Sequence, residues 1–223
     1  MLLLDFIEYF PPLSPKNIIV YRRLHNYMPI TKVNTTVDKK FIATWNPLYD
    51  KKDIGNDYVG YDELLNDVSK DISKGFISES TFIRILNWKA PRVKGKIRKN
   101  DHTYYNSAIK QVLESADDKK LKILVGLTGI DVPVASTILN FIYPGVFPIM
   151  DFRVTETLKK FGYLKAKARS LSNYPKYRKE ILKIVHDSGC SMRAVDRALF
   201  AYHKIIIEPE KKKEESRCGN TNC

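Results

Sequence analysis

The sequence predicts a mostly α-helical protein. After residue 57, apolar residues recur at steps of three and four, whereas the strict alternation typical of strands is scarce. The chain has 223 residues, of which 43% are hydrophobic. That is enough to bury a core in one large domain or two small ones.

The pattern divides the chain into three parts. Residues 1–57 carry several prolines and mixed apolar and basic stretches, with one helix predicted at residues 17–28 and weak strand candidates at 17–21 and 40–44. Residues 58–207 form the predicted helical body. Residues 208–223 are charged and then rich in Asn, Gly and Ser, and we expect this tail to be disordered.

Helical spacing defines the elements of the body. Two helices are predicted from the apolar steps beginning at Tyr61 and at Phe82, and further helices cover residues 104–113, 119–126, 155–161, 177–186 and 192–207. Ser191 is the expected N-cap of the last helix. Arg193, Asp196 and Arg197 on that helix are interpreted as surface ion pairs of little energetic weight.

Charge indicates the class of partner. The formal net charge is +13, and in the tail acidic residues cancel basic ones, so the excess lies in the body. Lys and Arg gain affinity for polyanions by displacing counterions from phosphates. The first residues lack the flank of a signal peptide and the length of a membrane span, so we expect a cytoplasmic protein without a membrane partner.

Residues 127–139 predict a tight helical hairpin. Gly129 supplies a turn residue that tolerates unusual backbone angles. Asp131 is placed to N-cap the second helix, and Pro133 fits its first turn while removing one amide donor. The remaining backbone amides of the turn form a possible binding site for a phosphate. By itself, such a turn favours two core helices that simply meet, because turns of this kind are common in helical proteins. The spacing to Pro148 and Asp151 reverses that preference.

A single carboxylate follows the hairpin. Asp151 comes after residues 144–150, an extended link whose two prolines fix its direction and whose apolar residues favour burial. Asp151 is also the expected N-cap of a helix that begins near Phe152, with Arg153 as its ion-pair partner.

Residues 127–139 together with 147–151 resemble the helix-hairpin-helix and catalytic aspartate of the DNA glycosylase superfamily that includes endonuclease III and the 8-oxoguanine glycosylases. The resemblance covers roughly residues 120–160. It implies a glycosylase-like helical fold, double-stranded DNA as partner, and Asp151 as the carboxylate that stabilises a cation-like sugar. It also implies that the hairpin binds the DNA backbone through Lys122, Thr128, Gly129, Ile130 and Val132, with room for a monovalent cation.

Two departures from the family pattern narrow this expectation. Asp131 stands where the family has a second glycine, and its carboxylate weakens phosphate binding at the turn. Pro133 stands where strand-cutting members carry a lysine that forms a Schiff base, so we expect a monofunctional enzyme that uses water unless another lysine takes that role. Three cysteines cannot supply the four-cysteine iron–sulfur cluster of endonuclease III relatives, and the four histidines lack metal-ligand spacing.

Further candidates surround the hairpin in sequence. Arg92, Lys94 and Lys96 lie in a basic loop expected to contact DNA, and Tyr104 and Tyr105 are the candidates for a base pocket. The sequence leaves two alternatives to a glycosylase. One is a non-catalytic helix-hairpin-helix DNA-binding protein, and the other is a helical domain whose lysines serve only solubility.

Overall fold

The computed structural model describes residues 36–50, 60–89, 102–165 and 169–212. Within these residues every regular element is a helix, so the prediction of a mostly α-helical protein is confirmed. The elements are α1 (Lys39–Trp45), a 3-10 helix (Asn46–Asp50), α2 (Tyr61–Ile72), α3 (Glu79–Lys89), α4 (His102–Glu114), α5 (Asp117–Val125), α6 (Val132–Ile142), α7 (Phe152–Lys160), α8 (Tyr174–Ser188), α9 (Met192–Tyr202) and a π-helix (His203–Ile207). The helix predicted at residues 17–28 and the strand candidate at 17–21 lie outside the described residues.

The strand prediction at residues 40–44 is wrong, because α1 occupies them. Asp38 caps this helix by accepting a hydrogen bond from the Phe41 amide at 2.7 Å. The ring of Trp45 packs edge-on against Tyr202, with ring centres 4.9 Å apart. Residues 36–50 therefore belong to the helical body, which begins before the boundary expected at residue 57.

The hairpin forms the centre of the body. Helices α5 and α6 are joined by a turn in which Gly129 has φ of +82°, a backbone angle that favours glycine. Nine of the 11 residues of α6 are buried, and α6 packs against α2, α3 and α5. A helix that is apolar on most of its faces is stable only when it is surrounded in this way.

Helix α9 organises the second half of the body. It packs against α1, the 3-10 helix, α7 and α8. The chain stays helical after α9, through the π-helix and residues 208–212, so the disorder predicted from residue 208 is wrong for these last five residues. Glu208 lies within 3.6 Å of Lys204 and 3.7 Å of Arg153, and these ion pairs hold the extension on the body. No helix among the described residues is long and apolar enough to cross a membrane.

Candidate functional site

Residues 147–150, which lead to Asp151, are buried, and the carbonyls of residues 147–149 accept hydrogen bonds from side chains. The prediction of an extended, buried link is wrong for residues 144–146, which form a turn in which Pro144 and Gly145 are exposed. Asn140 donates from its amide nitrogen to the Phe147 carbonyl at 2.9 Å. The hydroxyls of Tyr174 and Tyr177 donate to the Pro148 and Ile149 carbonyls at 3.0 and 2.5 Å. These bonds fix the backbone immediately before Asp151, which limits where its carboxylate can lie.

Asp151 is the N-cap of α7, as predicted. Its Oδ1 accepts a hydrogen bond from the Arg153 amide at 2.8 Å. Its Oδ2 lies 2.8 Å from Nζ of Lys89, the last residue of α3. The ion-pair partner expected from the sequence was Arg153; instead, the guanidinium of Arg153 lies 3.7 Å from Glu208.

The Lys89–Asp151 pair is mostly buried but not sealed. The exposed fractions of the two side chains are 9% and 13%. Burial acts to raise the pKa of Asp151, but the charge and hydrogen bond of Lys89, the Arg153 amide and the Arg153 charge outweigh it. The pKa of Asp151 therefore lies below its ordinary value, and this carboxylate is ionised at neutral pH.

A second ion pair lies beside the first. Arg193 donates to Asp196 at 2.8 Å, and both side chains are less than one-fifth exposed. The guanidinium carbon of Arg193 lies 4.3 Å from the ring centre of Tyr61, with the rings of Tyr49 and Trp88 at 5.0 and 5.5 Å. The prediction that Arg193 and Asp196 form a surface pair is wrong, because α9 turns this face towards the aromatic side chains of the 3-10 helix, α2 and α3.

The two ion pairs influence each other electrostatically. Burial raises the pKa of Asp196; Arg193 opposes that rise, and the negative charge of Asp151 adds to it. A small cavity of about 10 Å³ is lined by Asn140, Ile149, Met192, Arg193 and Asp196. Clustered ionisable groups with shifted pKa values are typical of functional sites.

Phe152 adds an exposed aromatic ring next to Asp151. Phe152 is the first residue of α7, and it is 40% exposed. The guanidinium carbon of Arg169 and Nζ of Lys211 both lie 5.5 Å from its ring centre. An exposed ring flanked by cations is suited to stacking against a base beside a phosphate.

The hairpin turn combines open amides with one carboxylate. Asp131 caps α6, as predicted, and accepts a hydrogen bond from the Val134 amide at 3.0 Å. Ile130 and Val132 are buried as whole residues, which leaves Thr128 and Gly129 as the more accessible residues of the predicted contact. Among the described residues, the backbone amides of Thr128, Gly129 and Val132 have no backbone acceptor.

A groove of about 600 Å³ lies beside the hairpin, between α4 and α5. Lys119, Lys122 and the exposed ring of Tyr104 line it, so the structure brings together one predicted DNA contact and one predicted base-pocket residue. Asp151 is not among its lining residues. The prediction for Tyr105 is wrong, because this ring is 1% exposed and packs against Phe82, leaving no face for a base.

Three predicted DNA contacts lie outside the described residues, and sequence reasoning missed residues of the site that the structure shows. Arg92, Lys94 and Lys96 lie outside the described residues. Sequence reasoning did not single out Lys89 or Phe152, and it misread Arg193. Lys89 is 62 residues from Asp151, so no local spacing connects them; the one available signal was a lysine at the end of an apolar helix, shortly before Pro91.

Comparison with known proteins adds no relative from which a function can be transferred. No protein-family model matches the chain, and neither a curated protein nor a solved structure matches it.

Proposed function

We propose that this protein is a DNA-binding base-excision glycosylase that cleaves the N-glycosidic bond of a damaged base. The observation that carries the proposal is Asp151, an ionised and mostly buried carboxylate at the end of a segment whose carbonyls are hydrogen-bonded in place. Loss of a base leaves positive charge on the sugar. A fixed carboxylate in a site of low dielectric stabilises that charge.

Double-stranded DNA is the partner that the charges favour. The net charge is +13, and Lys119 and Lys122 lie on the groove beside the hairpin. The open amides of the hairpin turn are donors to a phosphate and carry no sequence preference. A duplex bound at the hairpin is the substrate in this proposal, which implies a cytoplasmic enzyme, associated with the nucleoid in a prokaryote.

Water is the nucleophile for base release in this proposal. Pro133 has no side-chain amine, so the hairpin itself offers no lysine that attacks the sugar. The carboxylate of Asp151 is suited to orient water on the sugar carbon while it stabilises the developing charge.

One observation favours a second function, that of a DNA-binding protein without catalytic activity. Asp131 occupies the Val134 amide and brings a negative charge to the turn. Pro133 removes a further donor. Both features favour a stable start of α6 over a strong phosphate site.

Base release from a lesion panel tests the proposal. The full chain is incubated with duplexes that each carry one oxidised or alkylated base, and both free base and duplex affinity are measured at several salt concentrations. Release from at least one duplex supports the glycosylase. Binding that weakens steeply with salt but releases no base supports the second function. Absence of binding at low salt contradicts both.

A further inference from the structure

Two contacts show how helices α4 and α5 run on either side of the groove beside the hairpin. The Tyr105 hydroxyl donates to the Thr128 carbonyl at 3.3 Å, and Nζ of Lys120 donates to the Val112 carbonyl at 2.6 Å. The start of α4 therefore lies near the hairpin turn, and its end lies near the start of α5. The two helices are antiparallel, and the ring of Tyr104 lies at the turn end of the groove.

The α5 side of the groove is positively charged. Lys119 and Lys122 are exposed and three residues apart, so they lie on one face of the helix. Within the described part of the chain, neither lysine forms a hydrogen bond or an ion pair, and the groove has no acidic lining residue. Two such cations along one side of a groove are complementary to a ligand with repeated negative charges, such as a phosphodiester backbone.

The α4 side offers an aromatic ring and polar side chains. Tyr104 is 42% exposed, and its ring meets that of Tyr105 in a T-shaped contact with ring centres 5.1 Å apart, so a face of the Tyr104 ring stays open. Ser107 and Gln111 are exposed on the same face of α4 and carry hydrogen-bonding groups. A flat ring beside polar groups is suited to a nucleobase, which combines an aromatic face with a polar edge.

The open ring of Tyr104 favours a base that is not paired. In a double helix the bases stack on one another and expose only their edges in the grooves. An unpaired base presents its face, and an aromatic ring combined with cations along the backbone is the usual arrangement for binding single strands. Because Asp151 does not line the groove, the base that stacks on Tyr104 is not the base on which Asp151 would act.

We propose that the groove between α4 and α5 binds a single-stranded DNA segment, with an unpaired base on Tyr104 and backbone phosphates along Lys122 and Lys119. This adds a second partner to the duplex of the proposed function. The inference rests on that function only in taking DNA as the nucleic acid, and it requires no catalysis.

Fluorescence anisotropy tests the stacking contact. The full chain is titrated, at one fixed salt concentration, into labelled oligothymidine and into a labelled duplex of the same length. We expect oligothymidine to bind, and Tyr104→Ala to lower the ratio of single-strand to duplex affinity about tenfold, because one stacking contact is lost. Tyr104→Phe keeps the ring and should keep the ratio. A ratio that falls equally in both variants would overturn stacking on this ring.

The charge contact is tested by the salt dependence of oligothymidine binding. Each phosphate contact contributes about 0.7 to the slope of log affinity against log salt for a single strand, so the double variant Lys119→Gln/Lys122→Gln should lower that slope by about 1.4. Lys179→Gln/Lys183→Gln is the matched control. It removes the same charge from α8, where both lysines are exposed and, among the described residues, have no ion pair. Equal slopes in the two double variants would show that general charge, and not the groove, binds the strand.

The inference and the proposed function fail separately. Base release from the lesion panel by a protein that does not bind oligothymidine would overturn the groove assignment and leave the glycosylase intact. Tyr104-dependent binding of oligothymidine by a protein that releases no base would support the groove assignment and contradict the glycosylase. Tighter binding of oligouridine than of oligothymidine would overturn DNA as the ligand of the groove.

Discussion

The Lys89–Asp151 pair joins the end of α3 to the start of α7, and each side chain keeps a small exposed fraction. A fully buried pair would be closed to a substrate, whereas a fully exposed pair would be screened by water and salt. Partial burial keeps electrostatic interactions strong and leaves a path to the carboxylate. The pair is therefore better suited to chemistry than to stability alone.

Phe152 gives the most direct residue-scale prediction for DNA binding. Replacing it with Ala removes an exposed ring beside Asp151, and stacking on a base contributes about 1–3 kcal/mol. We expect Phe152→Ala to weaken binding to a duplex with an abasic site by about tenfold. Fluorescence anisotropy at one fixed salt concentration measures this.

Leu171→Ala is the control for Phe152→Ala, because Leu171 has a similar exposed fraction and no aromatic ring. Its affinity should match that of wild type. Equal loss of affinity in both variants would show that general surface apolarity, and not stacking by Phe152, binds the DNA.

At the scale of elements, the extended segment before α7 decides where Asp151 lies. Tyr177→Phe removes the hydroxyl that bonds the Ile149 carbonyl. We expect the free energy of unfolding to fall by about 1 kcal/mol, because the Ile149 carbonyl loses one of its two donors and keeps the Asp151 amide. Single-turnover base release should fall about tenfold, since small displacements of a catalytic group are costly.

Tyr163→Phe controls for loss of a tyrosine hydroxyl. The Tyr163 hydroxyl accepts a hydrogen bond from the Val37 amide at 3.0 Å, away from the segment before Asp151. This variant should lose stability but keep its rate of base release. A rate that follows stability in both variants would contradict a positioning role for Tyr177.

The hairpin turn gives a second prediction at this scale. Gly129 has φ of +82°, so Gly129→Ala should lower the free energy of unfolding by about 1–2 kcal/mol. Duplex affinity should also fall, because the open amides of the turn would shift. Gly145→Ala is the control, since Gly145 is not among the glycines with positive φ and an added Cβ meets nothing within 4 Å. Affinity unchanged in Gly129→Ala would contradict the hairpin as the binding element.

Helical spacing predicts most of these elements because it is a local property. The apolar steps from Tyr61, the turn at Gly129 and the caps at Asp131, Asp151 and Ser191 all appear in the structure as expected. Residues 40–44 were misread because a short helix shows too few turns to display its period. The cap at Asp38 was the signal that identifies it.

The candidate site depends on distant contacts, and the sequence predicts it only in part. Asp151 follows from local features, but its partner Lys89 comes from a helix 62 residues earlier. The burial of Arg193 depends on aromatic rings from the 3-10 helix, α2 and α3. Tyr105 was misassigned because neighbouring tyrosines on α4 point to opposite environments, and only packing distinguishes them.

For the whole molecule, a buried histidine at the C-terminal end links stability to pH. Burial is the main cause that holds the pKa of His203 below its ordinary 6.5. The charges of Arg153 and Lys211 act in the same direction, and the hydrogen bond that His203 donates to Glu156, together with the Glu156 charge, opposes them. The pKa of Glu156 is also lowered, because Lys211 and His203 outweigh its desolvation.

The lowered pKa values of His203 and Glu156 both make the folded protein less stable as pH falls. Below pH 6.5 the unfolded chain binds more protons at residue 203 than the folded chain does, so the stability present above 6.5 is lost as pH falls. Glu156 extends the loss to pH values below 4.5. Urea unfolding between pH 7.5 and 5 should show declining stability, with a smaller decline in His203→Gln. An equal decline in this variant would contradict the assignment.

The central claim is that the charge of Asp151 drives base release. The most direct measurement is the single-turnover rate of base release by Asp151→Asn from a duplex that wild type processes, with Asp38→Asn as control because both residues are helix N-caps and Asn caps as well as Asp. We predict a rate at least about 100-fold below wild type for Asp151→Asn, with its fold and DNA affinity retained, and an unchanged rate for Asp38→Asn. A wild-type rate in Asp151→Asn would contradict the account.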